Sequence, residues 1–286
     1  MSPTKNSPEV NQPAQDGAEL KGVRPAAVAG QFYPSDPQEL RRLVKSLLRN
    51  AGSAPGPAPK ALIVPHAGYM FSGPIAASAY VRLAPARDTI KRVVLVGPAH
   101  RVAFDGLATV SVSAFATPLG LVPVDAQALR QLASLPQVSV NDRAHAHEHS
   151  LEVQLPFLQT VVDDFALVPL LVWQAQPEAV SRVLDALWGG PETCIIVSSD
   201  LSHYYVWTVA QQLDKATAAA IEALAPEDIS EEGACGRRPI CGLLQAARCR
   251  RLHARTLDLR NSGDTGGPPQ RVVGYGAFAF EEQPGG

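Results

Sequence analysis

The sequence predicts one α/β domain with a central, mostly parallel or mixed sheet and helices on both of its faces. Three observations carry this expectation. Short runs of consecutive apolar residues alternate with stretches of helical periodicity, the pattern left by doubly buried strands and their covering helices. Hydrophobic residues make up 46% of the 286, enough to fill one large core without disulfides or a structural metal. Three of the apolar runs each release a histidine just past their C-terminal end, the edge at which open α/β sheets bind ligands.

Residues 1–22 are polar and proline-containing without periodicity and read as a disordered tail, leaving 23–282 as the domain. Leu40, Leu43, Val44, Leu47 and Leu48 then recur at helical spacing. Asp36 is placed to cap that helix, with Pro37 at its first position and Glu39 in its first turn. Segment 50–59 reads as a surface loop. The runs at 61–64, 93–96, 167–172 and 194–197 are buried strands, although Pro169 demotes the third to an edge or bulged position. Leu151, Leu155, Leu158 and Val162 share a helical face, with Ser150 as its cap and Pro156 at an early turn or a kink. Helices over 177–188, 206–224 and 239–249 follow, and 271–280 is aromatic and β-branched, hence a late strand.

Composition excludes several function classes. The formal net charge is −2, from 25 basic and 27 acidic residues, which argues against a general polyanion binder. Arg248, Arg250 and Arg251 suit a helix C-terminus and lack the interleaved aromatics of a nucleic-acid surface. The apolar run at 165–173 has nine residues even counting Pro169, against the about 20 of a membrane span. The first twenty residues hold no apolar signal core, so a cytoplasmic chain is expected. Cys194, Cys235, Cys241 and Cys249 form no C-x-x-C pair, which removes zinc-ribbon and thioredoxin readings. Segment 262–267 is glycine-rich, but Pro268 follows it and no lysine does, so it is not a phosphate loop.

The candidate chemistry lies past the strand ends. His66 follows the run at 61–64, His100 follows 93–96, and Asp200 and His203 follow 194–197. If those strands are parallel neighbours, the three histidines share a site, and neutral imidazole is the commonest protein ligand for a transition metal. A fourth cluster holds His145, His147 and His149. On an extended strand this alternation could imitate a chelator, but it lacks H-E-x-x-H spacing, and the plainer reading is a polar loop entering a helix. Glu148 and His149 are its functional candidates. Cys235 precedes Gly236, Arg237, Arg238 and a helix start near Pro239, a setting of positive charge and helix N-terminus that favours thiolate. Tyr69 and Tyr204, close in sequence to two of the histidines, could line a pocket, bond a substrate oxygen or simply pack.

These residues fall in motifs that resemble the Memo-like proteins, whose bacterial members are named AmmeMemoRadiSam system protein B. The matching segments run in order: Arg24-Pro25-Ala26 through Gln31-Phe32-Tyr33-Pro34, Pro65-His66-Ala67-Gly68-Tyr69, Gly97-Pro98-Ala99-His100, and Glu148-His149-Ser150-Leu151-Glu152 through Pro156-Phe157. Ser199-Asp200-Leu201-Ser202-His203, Cys235-Gly236-Arg237-Arg238-Pro239-Ile240 and Val273-Gly274-Tyr275-Gly276-Ala277-Phe278 complete them.

The resemblance implies a fold similar to class III extradiol dioxygenases, and a metal held by two histidines and a cysteine, here His66, His100 and Cys235. It implies one Fe(II) or Cu ion per chain, with His203 as acid/base and Asp200, His149 and Glu148 beside it as catalytic or supporting groups. Tyr69, Tyr204 and Arg237 are the candidate substrate-binding residues. The bacterial family name implies a radical-SAM enzyme as pathway partner, alongside a small-molecule substrate of unstated identity. In the dioxygenases a carboxylate occupies the third ligand position, so Cys235 puts ring cleavage in doubt. Gln154 stands where animal relatives tend to carry another histidine. The competing reading is a binding or scaffold protein that keeps the cleft without catalysis. Either way, the metal reading requires the Cys235 sulfur to lie within about 8 Å of the imidazoles.

Overall fold

The computed structural model describes residues 20–53 and 56–282. The tail expected over 1–22 lies outside them except for residues 20–22, which are already tied to the fold: Lys21 N donates to Ser111 O, and Ser113 N and Oγ donate to Gly22 O. Along the chain run β1 (Val23–Arg24), α1 (Pro37–Ala51), β2 (Ala61–Val64), α2 (Tyr69–Tyr80), β3 (Arg92–Pro98), β4 (Leu107–Thr109), β5 (Ala114–Thr117) and β6 (Gly120–Pro123). Then come α3 (Ala126–Leu132), β7 (Val138–Val140), α4 (Asp142–Ala146), α5 (Leu155–Val161), β8 (Ala166–Val172), α6 (Pro177–Leu187) and β9 (Thr193–Ser198). The chain closes with β10 (His203–Tyr205), α7 (Trp207–Glu222), α8 (Arg237–Cys249), β11 (His253–Asn261) and β12 (Val272–Glu281).

Among the described residues the main sheet runs β10-β12-β2-β9-β3-β8-β4-β7, with β11 paired to β12, and β1-β5-β6 form a small second sheet. Its centre, β2-β9-β3-β8, is parallel throughout. The antiparallel pairings of β12 with β2 and of β4 with β8 make the whole mixed. Every residue of β2 and β9 is buried, odd and even positions alike, so both faces are covered. Helix α2 packs on β2, β11 and β12 with α1 and α5 beside it, while α8 packs on β3 and β9 with α6. Gly73 lets α1 and α2 approach closely, since a Cβ there would sit 2.9 Å from Leu47 Cδ1. No helix among the described residues is long and apolar enough to cross a membrane.

Most elements fall where periodicity puts them. Asp36 caps α1, its carboxylate accepting from Glu39 N at 2.7 Å. Two expectations need correction. Pro169 sits in an interior strand, paired with Leu95 of β3 on one side. On the other side Leu167 O accepts from Asp125 N, and Leu171 pairs with Ala108 of β4. Pro169 falls between these two attachments, where no donor is called for, so the strand keeps its central place. Ser150 does not cap a helix: its hydroxyl donates to Pro98 O at 2.8 Å, and a short 3₁₀ turn, Glu152–Gln154, leads into α5.

Candidate metal centre

The parallel order β2-β9-β3 puts three consecutive C-terminal strand ends side by side, and their loops carry His66, Asp200 with His203, and His100. The loop between α4 and α5 adds Glu148 and His149. One ring nitrogen from each of His66, His100 and His149 lies within 4.8 Å of those of the other two. The rings of His100 and His149 stack at 4.8 Å, and His66 meets each of them edge-on, at 5.2 and 5.4 Å. His66 is buried, His149 half-buried and His100 exposed, so the cluster opens to solvent on the His100 side.

Each imidazole has its Nδ1 engaged, which leaves Nε2 as the other ring nitrogen available to a metal. Glu148 Oε1 lies 2.9 Å from His100 Nδ1 and 3.1 Å from His149 Nδ1. The same carboxylate accepts from the backbone N–H groups of His100, His149 and Ser150. Burial works to raise the Glu148 pKa, but the hydrogen bonds from His100 and His149 outweigh it and hold the group far below the usual carboxylate range. A carboxylate can only accept, so both Nδ1 atoms carry protons and Nε2 is the nitrogen left to face a metal, the arrangement typical of metal-binding histidines. His66 Nδ1 is 2.9 Å from Ser198 Oγ. Burial first, and the neighbouring His100 and His149 next, push His66 well below an ordinary histidine, so it stands as neutral imidazole.

Cys235 Sγ lies 3.3 Å from His66 Nε2. Two atoms ligating one ion at about 2.0 Å (N) and 2.3 Å (S) with tetrahedral spread would be about 3.5 Å apart, so the pair already has ligand separation. The three mutually close imidazoles nevertheless differ from the set implied by resemblance, because His149 joins His66 and His100 while Cys235 is in contact with His66. The thiolate expectation also needs correction. Burial, and then the nearby Asp200, raise the Cys235 pKa well above the ordinary thiol. The Arg237 guanidinium turns away, donating to Ile229 O at 2.7 Å and pairing with Glu231 at 2.9 Å.

The other candidates separate into those at the centre and those beside it. Asp200 is buried, accepts from His66 N at 2.7 Å through Oδ1, and is pushed upward by that burial. It therefore fixes the His66 backbone rather than orienting His203. His203 is oriented instead by Leu201 O, 2.8 Å from its Nδ1, which leaves its Nε2 free. It lies within electrostatic reach of both His66 and Asp200. Tyr69 is buried and its hydroxyl donates to Val153 O at 2.5 Å, so it packs beneath the site. Tyr204 is 62% exposed, has φ +67°, and lies under the Arg271 guanidinium. His145 is buried in helix α4 with Nε2 donating to Ala108 O, and burial lowers it to about 4; the alternating histidines do not form a strand. Sequence reasoning gave no role to Phe32, whose ring lies 4.7 Å from that of His149, or to Ser198 and Gln154 behind His66.

A family model described as Memo-like protein matches residues 24–279. The chain belongs to the Memo-like family. A MEMO1 family protein of Aquifex aeolicus is 34% identical over 271 residues, covering 90% of this chain and 99% of the relative. One from Methanopyrus kandleri is 35% identical over 280 residues, with 90% and 98% covered. Another, from Ignicoccus hospitalis, is 37% identical over 284 residues with the same coverage. The Memo-like match thus spans the N-terminal segment, the histidine cluster and Cys235 together.

Proposed function

We propose that this Memo-like protein is a metal-dependent redox enzyme holding one iron or copper ion, with His66, His100 and His149 as imidazole ligands and Cys235 as the adjacent sulfur donor. The observation that carries the reading is the convergence of three imidazoles whose Nδ1 atoms are all engaged from behind. The donor set fits such an ion: imidazole suits iron and copper, and a soft sulfur donor, which would give up its proton on binding the metal, favours redox-active metals over magnesium or calcium. Bound there, the metal would supply a redox-active Lewis acid.

The surrounding residues supply positioning and proton handling. Glu148 holds two imidazoles in one tautomer and keeps them from drifting apart. His203, with its Nδ1–H given to Leu201 O, keeps Nε2 as a proton acceptor. Asp200 holds the His66 loop, and its burial favours keeping a proton. A small-molecule substrate would approach from the side where His100 is exposed. Four unpaired cysteines fit a cytoplasmic, reducing setting.

Metal analysis of untagged protein is the test. About one iron or copper per chain is expected, lost in His66→Ala and reduced in Cys235→Ser while the fold persists. Protein that stays metal-free after anaerobic loading with Fe(II) and Cu(I) overturns the reading and favours a binding role. Where metal is retained, oxygen consumption with catechols and other phenols tests ring opening, and absence of turnover removes that reaction.

A further inference from the structure

We infer that Ser198, backed by Gln154, is a positioning residue that holds His66 in its Nδ1–H tautomer and so keeps the Nε2 lone pair available to a metal; the purpose of this device rests on the metal-binding reading above. His66 Nδ1 and Ser198 Oγ are 2.9 Å apart and both residues are buried. That distance alone does not say which atom gives the proton. The neighbours decide it. Ser198 Oγ is also 2.6 Å from Ser150 O, and a carbonyl oxygen only accepts. The single hydroxyl proton is therefore committed to Ser150, since turning it to His66 would leave two bare oxygens in contact.

The opposite side of Ser198 is filled as well. Gln154 Nε2 donates to Ser198 Oγ at 2.8 Å and to Pro65 O at 2.9 Å. Flipping the amide would set its oxygen against the Pro65 carbonyl, so its orientation is fixed. Gln154 Oε1 in turn accepts from the Tyr80 hydroxyl at 2.8 Å. One lone pair of Ser198 is taken by Gln154 and the other remains for a donor, which is the Nδ1–H of His66. In the other tautomer of the His66 ring, Nε2–H would point at Cys235 Sγ and could not ligate. The chain Tyr80–Gln154–Ser198–His66 is buried from end to end.

The tautomer is read by nitrogen-15 NMR of the metal-free, full-length protein labelled at histidine, with the His66 signals assigned by their loss in His66→Ala. A protonated Nδ1 and an unprotonated Nε2 are expected. In Ser198→Ala, His66 is expected to move toward Nε2–H, and binding of Co(II), followed by its visible bands, to weaken by about 10- to 100-fold. A wild-type His66 protonated on Nε2 overturns the inference, and this spectrum decides the matter even where Ser198→Ala fails to fold. A folded Ser198→Ala protein with unchanged tautomer and Co(II) affinity overturns it too. The expected tautomer in a protein that binds no metal would uphold the inference and sink the metal-binding reading.

Discussion

Replacing Glu148 by glutamine tests how the histidine cluster is held. The glutamate Oε2 accepts from His100 N at 2.6 Å, while Oε1 serves His100 Nδ1, His149 Nδ1 and the N–H groups of His149 and Ser150. Glutamine keeps one acceptor oxygen, and the better placement leaves its NH₂ facing His100 N–H. That forfeits one charge-assisted hydrogen bond, about 1.5–3 kcal/mol, and leaves buried donors unpaired. The bonds that remain fall to roughly half strength. The sum is a loss of about 4 kcal/mol, which in a domain of this size lowers Tm by about 10 °C. The side chain is 1% exposed, so solvent does little to soften the cost.

Denaturant unfolding of chelator-treated wild type and Glu148→Gln, at neutral and acid pH, measures it. The sign with pH follows from the depressed carboxyl. Its contribution is complete above the ordinary glutamate value of 4.5 and is lost as pH falls below it toward the lower folded value. The gap between the two proteins should therefore narrow on acidification. A gap under about 1 kcal/mol at pH 7, or one that widens below pH 4, would refute the role given to Glu148.

Glu152→Ala, which strips a fully buried partner from Arg24 and also unpairs Tyr33 and two backbone N–H groups, should cost about 3–5 kcal/mol; chemical denaturation reads it, and a neutral result would mean the pair is not closed as described. In metal-free protein at pH 8, iodoacetamide should modify exposed Cys249 well before Cys235, whose thiol is raised by burial, and mass mapping that finds equal rates would contradict this. Gly236→Ala would place a Cβ 2.6 Å from Ser199 Cβ and 3.0 Å from Ser198 O, so it should shift Cys235 and weaken Co(II) binding more than it lowers Tm; unchanged affinity counts against Cys235 as a donor. His203→Ala should leave metal content unchanged and, once a substrate is in hand, slow turnover by about 10²–10⁴-fold.

The central sheet was legible because its strands are buried on both faces, so runs such as Ala61-Leu62-Ile63-Val64 are apolar at every position. The peripheral strands were not. In β11 the register shifts between Thr256 and Asp258, which breaks the alternation of apolar and polar residues that marks a half-covered strand. The strands β4 to β7 are only three or four residues long, too short for any period to declare itself. At the site, His66, His100 and His203 were legible from their places after strand ends, and Cys235 from the family motif. The groups behind them were not, because Ser198 falls just past the apolar run at 194–197 and Gln154 stood out only as a departure from animal relatives. Their roles come from pairings 44 and 132 residues apart in the chain, which local sequence does not encode. Charge counting around Cys235 failed for a related reason: Arg237 is next door in sequence, but its guanidinium points at Ile229 and Glu231.

Two glutamates four residues apart divide the work of building the site. Glu148 gathers His100 and His149. Glu152 gathers the N-terminal segment, accepting from Arg24 Nη1 at 2.5 Å, from the backbone of Ala27 and Val28, and from the Tyr33 hydroxyl. Arg24 links the two, since its other donors go to His145 O and Glu148 O. The segment so anchored carries Phe32, whose ring rests on His149 and fills that side of the cluster with apolar surface. The Arg24–Pro34 motif is therefore part of the cluster's construction. It sets where the third imidazole can stand, and a change at Arg24 should be felt at His149 before it is felt at His66.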